Sequence, residues 1–120
     1  MRVKLRFEFG TELQLGPGKA DLLQQIATLG SIAAAGRAMD MSYKRAWGLV
    51  EEMNAAFAAP VVTSLRGGAA HGGAVVTEVG LAVLAHFRSL ESLLEGPRAK
   101  VEIDALIALL RPGLGDGESG

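Results

Sequence analysis

The stretch GSIAAAGRAMDMSYKRAWGLVEEMN, residues 30–54, holds two helical patterns separated by a short break at Asp40-Met41. Gly30 suits the left-handed end of a preceding helix, and Ser31 is a good N-cap for a helix over 32–39. Ser42 can cap again, because its hydroxyl oxygen accepts from N–H groups that a helix start leaves unpaired. The second helix then runs over 43–57, and Pro60 stops it. With Ala46 as origin and an advance of about 100° per residue, Val50, Met53 and Phe57 fall within about 40° of it. That is a core face, with Leu49 at one margin and Trp47 at the other. A lone Trp at such a margin reads as an anchor between helices. The far side carries Lys44, Gly48, Glu51 and Ala55, flanked by Arg45 and Glu52, so it begins basic and turns acidic.

Outward from this centre the period changes. Residues 2–9 alternate as a half-buried strand does, Val3, Leu5, Phe7 and Phe9 on one face and Arg2, Lys4, Arg6 and Glu8 on the other. A second short strand, ELQL at 12–15, follows Gly10. Matching the apolar faces pairs Phe9 with Leu13 and Phe7 with Leu15, across a connection of three residues. A two-residue turn at Gly10-Thr11 would set Phe7 against Gln14 instead. GPG at 16–18 breaks the alternation before a helix over 19–29, whose apolar side is Leu22, Leu23, Ile26 and Leu29. Beyond Pro60, VVTSL (61–65) and AVV (74–76) are β-prone and separated by RGGAAHGG. Thr77 caps a long helix over 78–95, with Glu78 well placed against its dipole and Val79, Val83, Phe87, Leu90 and Leu94 in one stripe. Gly96-Pro97 ends it, and Ile103, Leu106, Ile107 and Leu110 mark a last helix. The expected organisation is one domain over 1–95, a C-terminal helix over 96–112 and a disordered tail over 113–120. The expected fold class is mainly α with a small β component.

A chain of 120 residues suffices for one buried core. Twelve Lys and Arg stand against thirteen Asp and Glu, so bulk charge does not announce a polyanionic partner. The distribution says more. Residues 37–76 hold Arg37, Lys44, Arg45 and Arg66 against Asp40, Glu51 and Glu52, whereas residues 77–120 hold four bases against seven acids. There is no cysteine, which excludes disulfides, thiol catalysis and cysteine-ligated metals. The two histidines, His71 and His86, are fifteen apart with no carboxylate at zincin spacing, so no metal site is expected. Glu51 and Glu52 point about 100° apart and form no acid–base pair, and no nucleophile–base set exists, so no enzyme is expected. The start, MRVKLRFEF, lacks the apolar region of a signal peptide and no run approaches a membrane span. The expectation is a cytoplasmic protein with no membrane partner.

Two helices joined by a short turn and followed by a two-stranded ribbon are the pattern of a winged helix-turn-helix, here with an N-terminal hairpin and C-terminal helices. In that fold the second helix enters the major groove by its N-terminal end, where dipole and free N–H groups also attract phosphate. Lys44 and Arg45 then reach guanine O6 and N7 or phosphate, while Ser42 and Tyr43 donate to phosphate. Gly48 costs about 1 kcal/mol against Ala in a helix interior. On the outer face it either permits close approach of DNA or is a tolerated glycine. Ser31, Arg37 and Trp47 complete the candidate contacts on the helix pair. The RGGAAHGG loop lacks the residues of a phosphate-binding loop. As a wing, its Gly67, Gly68 and Gly72 let the tip lie against a minor-groove backbone, with Arg66 and His71 on phosphate. A merely flexible hairpin tip is the alternative. His86, beside Phe87 on the long helix, reads as structural or exposed.

Taken with RGGAAHGGAVVTEVG (66–80), the opening stretch closely resembles the DNA-binding domain of the ModE-type molybdate-responsive transcription regulators, relatives of the LysR-type winged helix proteins. SYKxAWxxxxxMN at 42–54 and a glycine-rich loop ending in TxxG at 77–80 carry the likeness, which covers roughly residues 3–95. The resemblance implies a DNA-reading helix that begins at Ser42, Tyr43 and Lys44, and a wing over Arg66 to Ala74. It implies a homodimeric, sequence-specific regulator of transcription on double-stranded DNA. Dimerisation would use the apolar sides of the helix at 19–29, the helix at 78–95 and the last helix. Full-length regulators carry molybdate-binding domains, and here the chain ends at Gly120 after one more helix. The expectation is therefore DNA binding with no cofactor, any effector-binding partner being separate. The competing expectation is a winged-helix protein-interaction module that does not bind DNA, which the near-neutral charge favours.

Overall fold

The N-terminal alternation closes into a hairpin, β1 (Phe7–Phe9) antiparallel to β2 (Leu13–Leu15), in a computed structural model that describes residues 1–65 and 73–114. Phe7 faces Leu15 and Phe9 faces Leu13, the register that matched apolar faces require. Gly10 takes the left-handed φ of +59° that this connection needs. The pairing is shorter than the alternation over 2–9, because β2 presents three residues to pair with. Val3 and Phe9 are half exposed, while Leu5 and Phe7 pack on the core. The expected wing residues Arg66, Gly67, Gly68, His71 and Gly72, and the tail from 115 onward, lie outside the described residues.

Helix α1 (Pro17–Leu29) starts earlier than expected, because Pro17 sits at the first helical position, where its missing N–H costs nothing. Ala20, Leu22, Leu23 and Ile26 are buried, whereas Leu29, next to the left-handed Gly30 cap, is exposed. Helices α2 (Ile32–Ala38) and α3 (Tyr43–Ala56) are capped by Ser31 and Ser42. Between them Asp40 sits at φ +59°, a conformation that a short polar side chain tolerates. The two helices cross closely at Gly36, where a Cβ would meet Ala46 Cβ at 3.2 Å and Met41 O at 3.3 Å. The inner face of α3 is the expected one, with Ala46, Val50 and Met53 buried and Phe57 packed against them.

After α3, β3 (Val62–Ser64) pairs antiparallel with β4 (Ala74–Val76), Val62 opposite Val76. Asn54 fixes this hairpin to α3. Its Oδ1 accepts from Val61 N–H at 2.7 Å and Val62 N–H at 3.2 Å, and its Nδ2 donates to Val62 O at 3.0 Å. The Ala74 N–H donates to Gly30 O at 2.9 Å, which ties β4 to the α1–α2 junction.

Thr77 caps α4 (Glu78–Leu93) by accepting from Gly80 N–H at 3.0 Å, and its hydroxyl donates to Pro60 O at 2.6 Å. The expected apolar stripe of α4 is corrected by one position. Gly80, Leu84 and Phe87 are the buried residues, while Val79 and Leu90 are exposed. The cause is Gly80, where a Cβ would lie 2.2 Å from Val61 O, so the helix packs its backbone there against Val61, just before β3, and its buried face is centred accordingly. Arg88 joins α4 to α1, donating to Asp21 at 2.8 Å and to Glu91 at 3.1 Å. Burial lowers its guanidinium pKa, but the hydrogen bonds to Asp21 and Glu91 outweigh that and raise it. Helix α5 (Pro97–Ala108) begins at Gly96-Pro97, ends before Leu110 and has no buried residue. The described residues are mainly helical with two small antiparallel strand pairs, as the sequence pattern predicts. Among the described residues no helix is long and apolar enough to cross a membrane.

Candidate nucleic-acid interface

Ser42, Tyr43, Lys44, Arg45, Trp47 and Gly48 come together on the first turns of α3. Ser42 Oγ accepts from Arg45 N–H at 3.1 Å, which sets where the first turn begins. Tyr43, Lys44 and Arg45 are exposed, and the reason is Ala46, fully buried against α2 with Val50 and Met53 following on its face. Burying the larger two contributes roughly 1.5–3 kcal/mol each, so the helix cannot roll to hide its basic turn. Ser42, Lys44, Arg45, Gly48, Leu49 and Glu52 line an open concavity of about 450 Å³. The acid on that list is occupied, since Glu52 pairs with Lys19 of α1 at 3.1 Å.

Trp47 is not the expected anchor. It is 39% exposed and stacks on Tyr43 one turn away, ring centroids 6.4 Å apart and planes 16° from parallel. The close α2–α3 contact is made instead at Gly36, against Ala46 and Met41. Among the described residues, a Cβ at Gly48 would meet nothing within 4 Å, so none of them calls for glycine there. Arg37 is exposed in the last turn of α2. Ser31 lies at the other end of that helix, partly buried, its Oγ accepting from Ala34 N–H at 3.0 Å. The structure thus groups residues 42–48 and leaves Ser31 apart, engaged as a cap. His86 is exposed, beside an apolar groove that Phe7, Phe9 and Phe87 also line.

Sequence reasoning missed the residues that hold this helix in place. Gly36 and Asn54 both looked unremarkable in their helices, and their roles exist only once the chain returns on itself. It also missed Lys4, Arg6 and Lys19, which line a groove together with Arg45. The alternation of Lys4 and Arg6 was visible as a basic strand face, but not that α3 would stand beside it. Among the described residues no group of three or more His, Asp or Glu is placed to hold a metal ion.

The chain is 44% identical over 82 residues to the molybdenum-pterin-binding protein MopB of Rhodobacter capsulatus, covering 68% of this chain and 30% of that protein. It is 35% identical over 78 residues to the DNA-binding transcriptional dual regulator ModE of Escherichia coli K12, covering 65% and 30%. Over this stretch the chain is similar to ModE-type proteins. The molybdenum transport protein ModE of Azotobacter vinelandii is 34% identical over 90 residues, covering 75% and 33%. The chain spans about a third of the length of the curated relatives it matches. No protein-family model matches it.

Proposed function

We propose that this chain is a sequence-specific DNA-binding regulator of transcription, a winged helix-turn-helix that acts as a homodimer. The observation that carries the reading is the first turn of α3, where Tyr43, Lys44 and Arg45 stand exposed while the residue after them is fully buried. A helix so held presents its cations and its positive dipole end outward together, which suits a major groove edged by phosphate. Lys44 and Arg45 supply base-edge or phosphate contacts. The bare backbone at Gly48 lets the helix approach closely, and the stacked Tyr43–Trp47 pair forms an apolar wall for sugars and thymine methyls. A ModE-type relative that is by name a DNA-binding regulator supports the reading. Two such helices in a dimer would read half-sites about 34–36 Å apart.

The exposed Tyr43–Trp47 pair favours a second reading, a protein-interaction module, since aromatic residues are enriched at the cores of protein interfaces. A salt series with a mixed-sequence DNA duplex separates the two. Under the DNA reading Lys44→Ala with Arg45→Ala weakens binding and flattens the salt dependence by about 0.9 in logarithmic slope per lost phosphate contact, with unchanged thermal unfolding. A wild-type protein that binds no duplex at low salt would end the DNA reading.

A further inference from the structure

The concavity at the start of α3 adjoins a second one, and the two share Arg45 and Leu49. This second groove, about 530 Å³, is lined by Lys4 and Arg6 of the N-terminal segment, Gln14 of β2, Lys19 of α1 and Arg45. Among the described residues no acidic side chain lines it. Four of the twelve cations in a chain of net charge −1 therefore surround one groove. Lys19 has its partner in Glu52, while Lys4 and Arg45 have no carboxylate within ion-pair distance among the described residues. The Arg6 guanidinium donates to Gln14 Oε1, which turns it along β2 rather than leaving it free. Lys4, Arg6 and Arg45 are like charges gathered with no carboxylate partner of their own among the described residues, and such charges repel one another. An anion entering the groove would offset that repulsion.

We infer that this groove is a phosphate track for DNA, taking the sugar–phosphate backbone that flanks the site read by α3. The inference rests on the DNA reading of α3. The choice of occupant follows from two features. Arg45 belongs to both concavities, so a strand contacted by the first turn of α3 continues into the groove without leaving the protein. Lys4, Arg6 and Arg45 are exposed, as suits a polyanion that keeps its water, whereas a discrete oxyanion is held by convergent, desolvated donors. The segment that leads into the N-terminal hairpin, on this view, is a second positioning element beside the reading helix, and carries no sequence preference of its own.

The test uses the full chain, a mixed-sequence DNA duplex and a salt series. Lys4→Ala with Arg6→Gln is expected to lower the slope of log affinity against log salt by about 1.8 for each bound protomer, two contacts at about 0.9 each. Arg98→Ala with Arg111→Ala, exposed residues outside both concavities, removes the same charge and is expected to leave the slope unchanged. Should the first pair fail to fold, Lys4→Gln, at an exposed residue outside every helix and strand, carries the test at about half the change. A wild-type slope in Lys4→Ala/Arg6→Gln, while Lys44→Ala/Arg45→Ala loses slope, overturns the inference and leaves the DNA reading standing. Equal flattening by the Arg98/Arg111 pair also overturns it, as an effect of net charge alone. So does thermal stabilisation by inorganic phosphate that the Lys4/Arg6 variant loses together with an unaltered DNA slope, which would make the groove a free-anion site. Absence of duplex binding by the wild type at low salt removes the DNA reading itself.

Discussion

Gly48 and Gly80 are both helical glycines, and their surroundings give them opposite reasons to exist. At Gly48 a methyl group would enter open space. Gly48→Ala is therefore expected to stabilise the folded chain by about 1 kcal/mol, through the helix propensity that glycine lacks. The same methyl sits on the outer face between Lys44 and Glu52, so the variant is expected to bind DNA more weakly than the wild type. Thermal unfolding and duplex titration read the two effects separately, and a stabilised variant with full affinity would show the glycine to be merely tolerated. At Gly80 a Cβ would come within 2.2 Å of Val61 O and 2.6 Å of Val76 Cγ1. Gly80→Ala is expected to cost about 1–3 kcal/mol or more by overpacking, seen as a lower unfolding temperature. Nothing in the local pattern distinguishes the two glycines. Only the approach of β3 and β4 to α4 does.

Elements show where that line falls. The caps were legible because the chemistry is local: Ser31, Ser42 and Thr77 each accept from the N–H three residues on. The register of the first hairpin was legible because alternation has only one match of faces, Phe7 with Leu15 and Phe9 with Leu13. The orientation of α4 was not, since Val79 and Leu90 continue an apolar stripe that the Gly80–Val61 contact turns outward. Trp47 differs from its expected role as well: α2 meets α3 through Gly36 and Ala46, and the indole stays 39% exposed against Tyr43. Asn54 belongs to the same class. It bonds to three backbone groups of Val61 and Val62, and so sets the angle at which α3 leaves the hairpin. Asn54→Ala strands those groups and is expected to destabilise by about 1–3 kcal/mol, moving the urea midpoint at constant m-value. An unmoved midpoint would mean that water replaces the side chain and that the latch positions nothing.

At the scale of the molecule, what the core leaves uncovered bears on assembly. The structure extends 59 × 28 × 26 Å, and α5 contributes no buried residue to it. Leu81, Leu90 and Leu93 on α4 are exposed, as are Val101 and Leu106 on α5 and Leu109 after it. A monomeric surface seldom leaves so many large apolar side chains open along two consecutive helices, whereas a second copy would cover them. The proposed dimer also answers a problem of affinity: one helix with a short basic turn makes few phosphate contacts, and two make twice as many on one duplex. Wild-type protein is expected to sediment at about twice the chain mass of 12.5 kDa. Leu93→Glu with Leu106→Glu, at positions 69% and 64% exposed, is expected to yield a folded monomer, because neither side chain supports the core. That monomer would bind the duplex with about half the wild-type salt slope, one set of contacts in place of two. A wild type that stays monomeric at concentrations where it saturates DNA would remove the dimer from the proposal, and with it the requirement for paired half-sites, while leaving the roles of Lys44 and Arg45 to be judged on their own salt slopes.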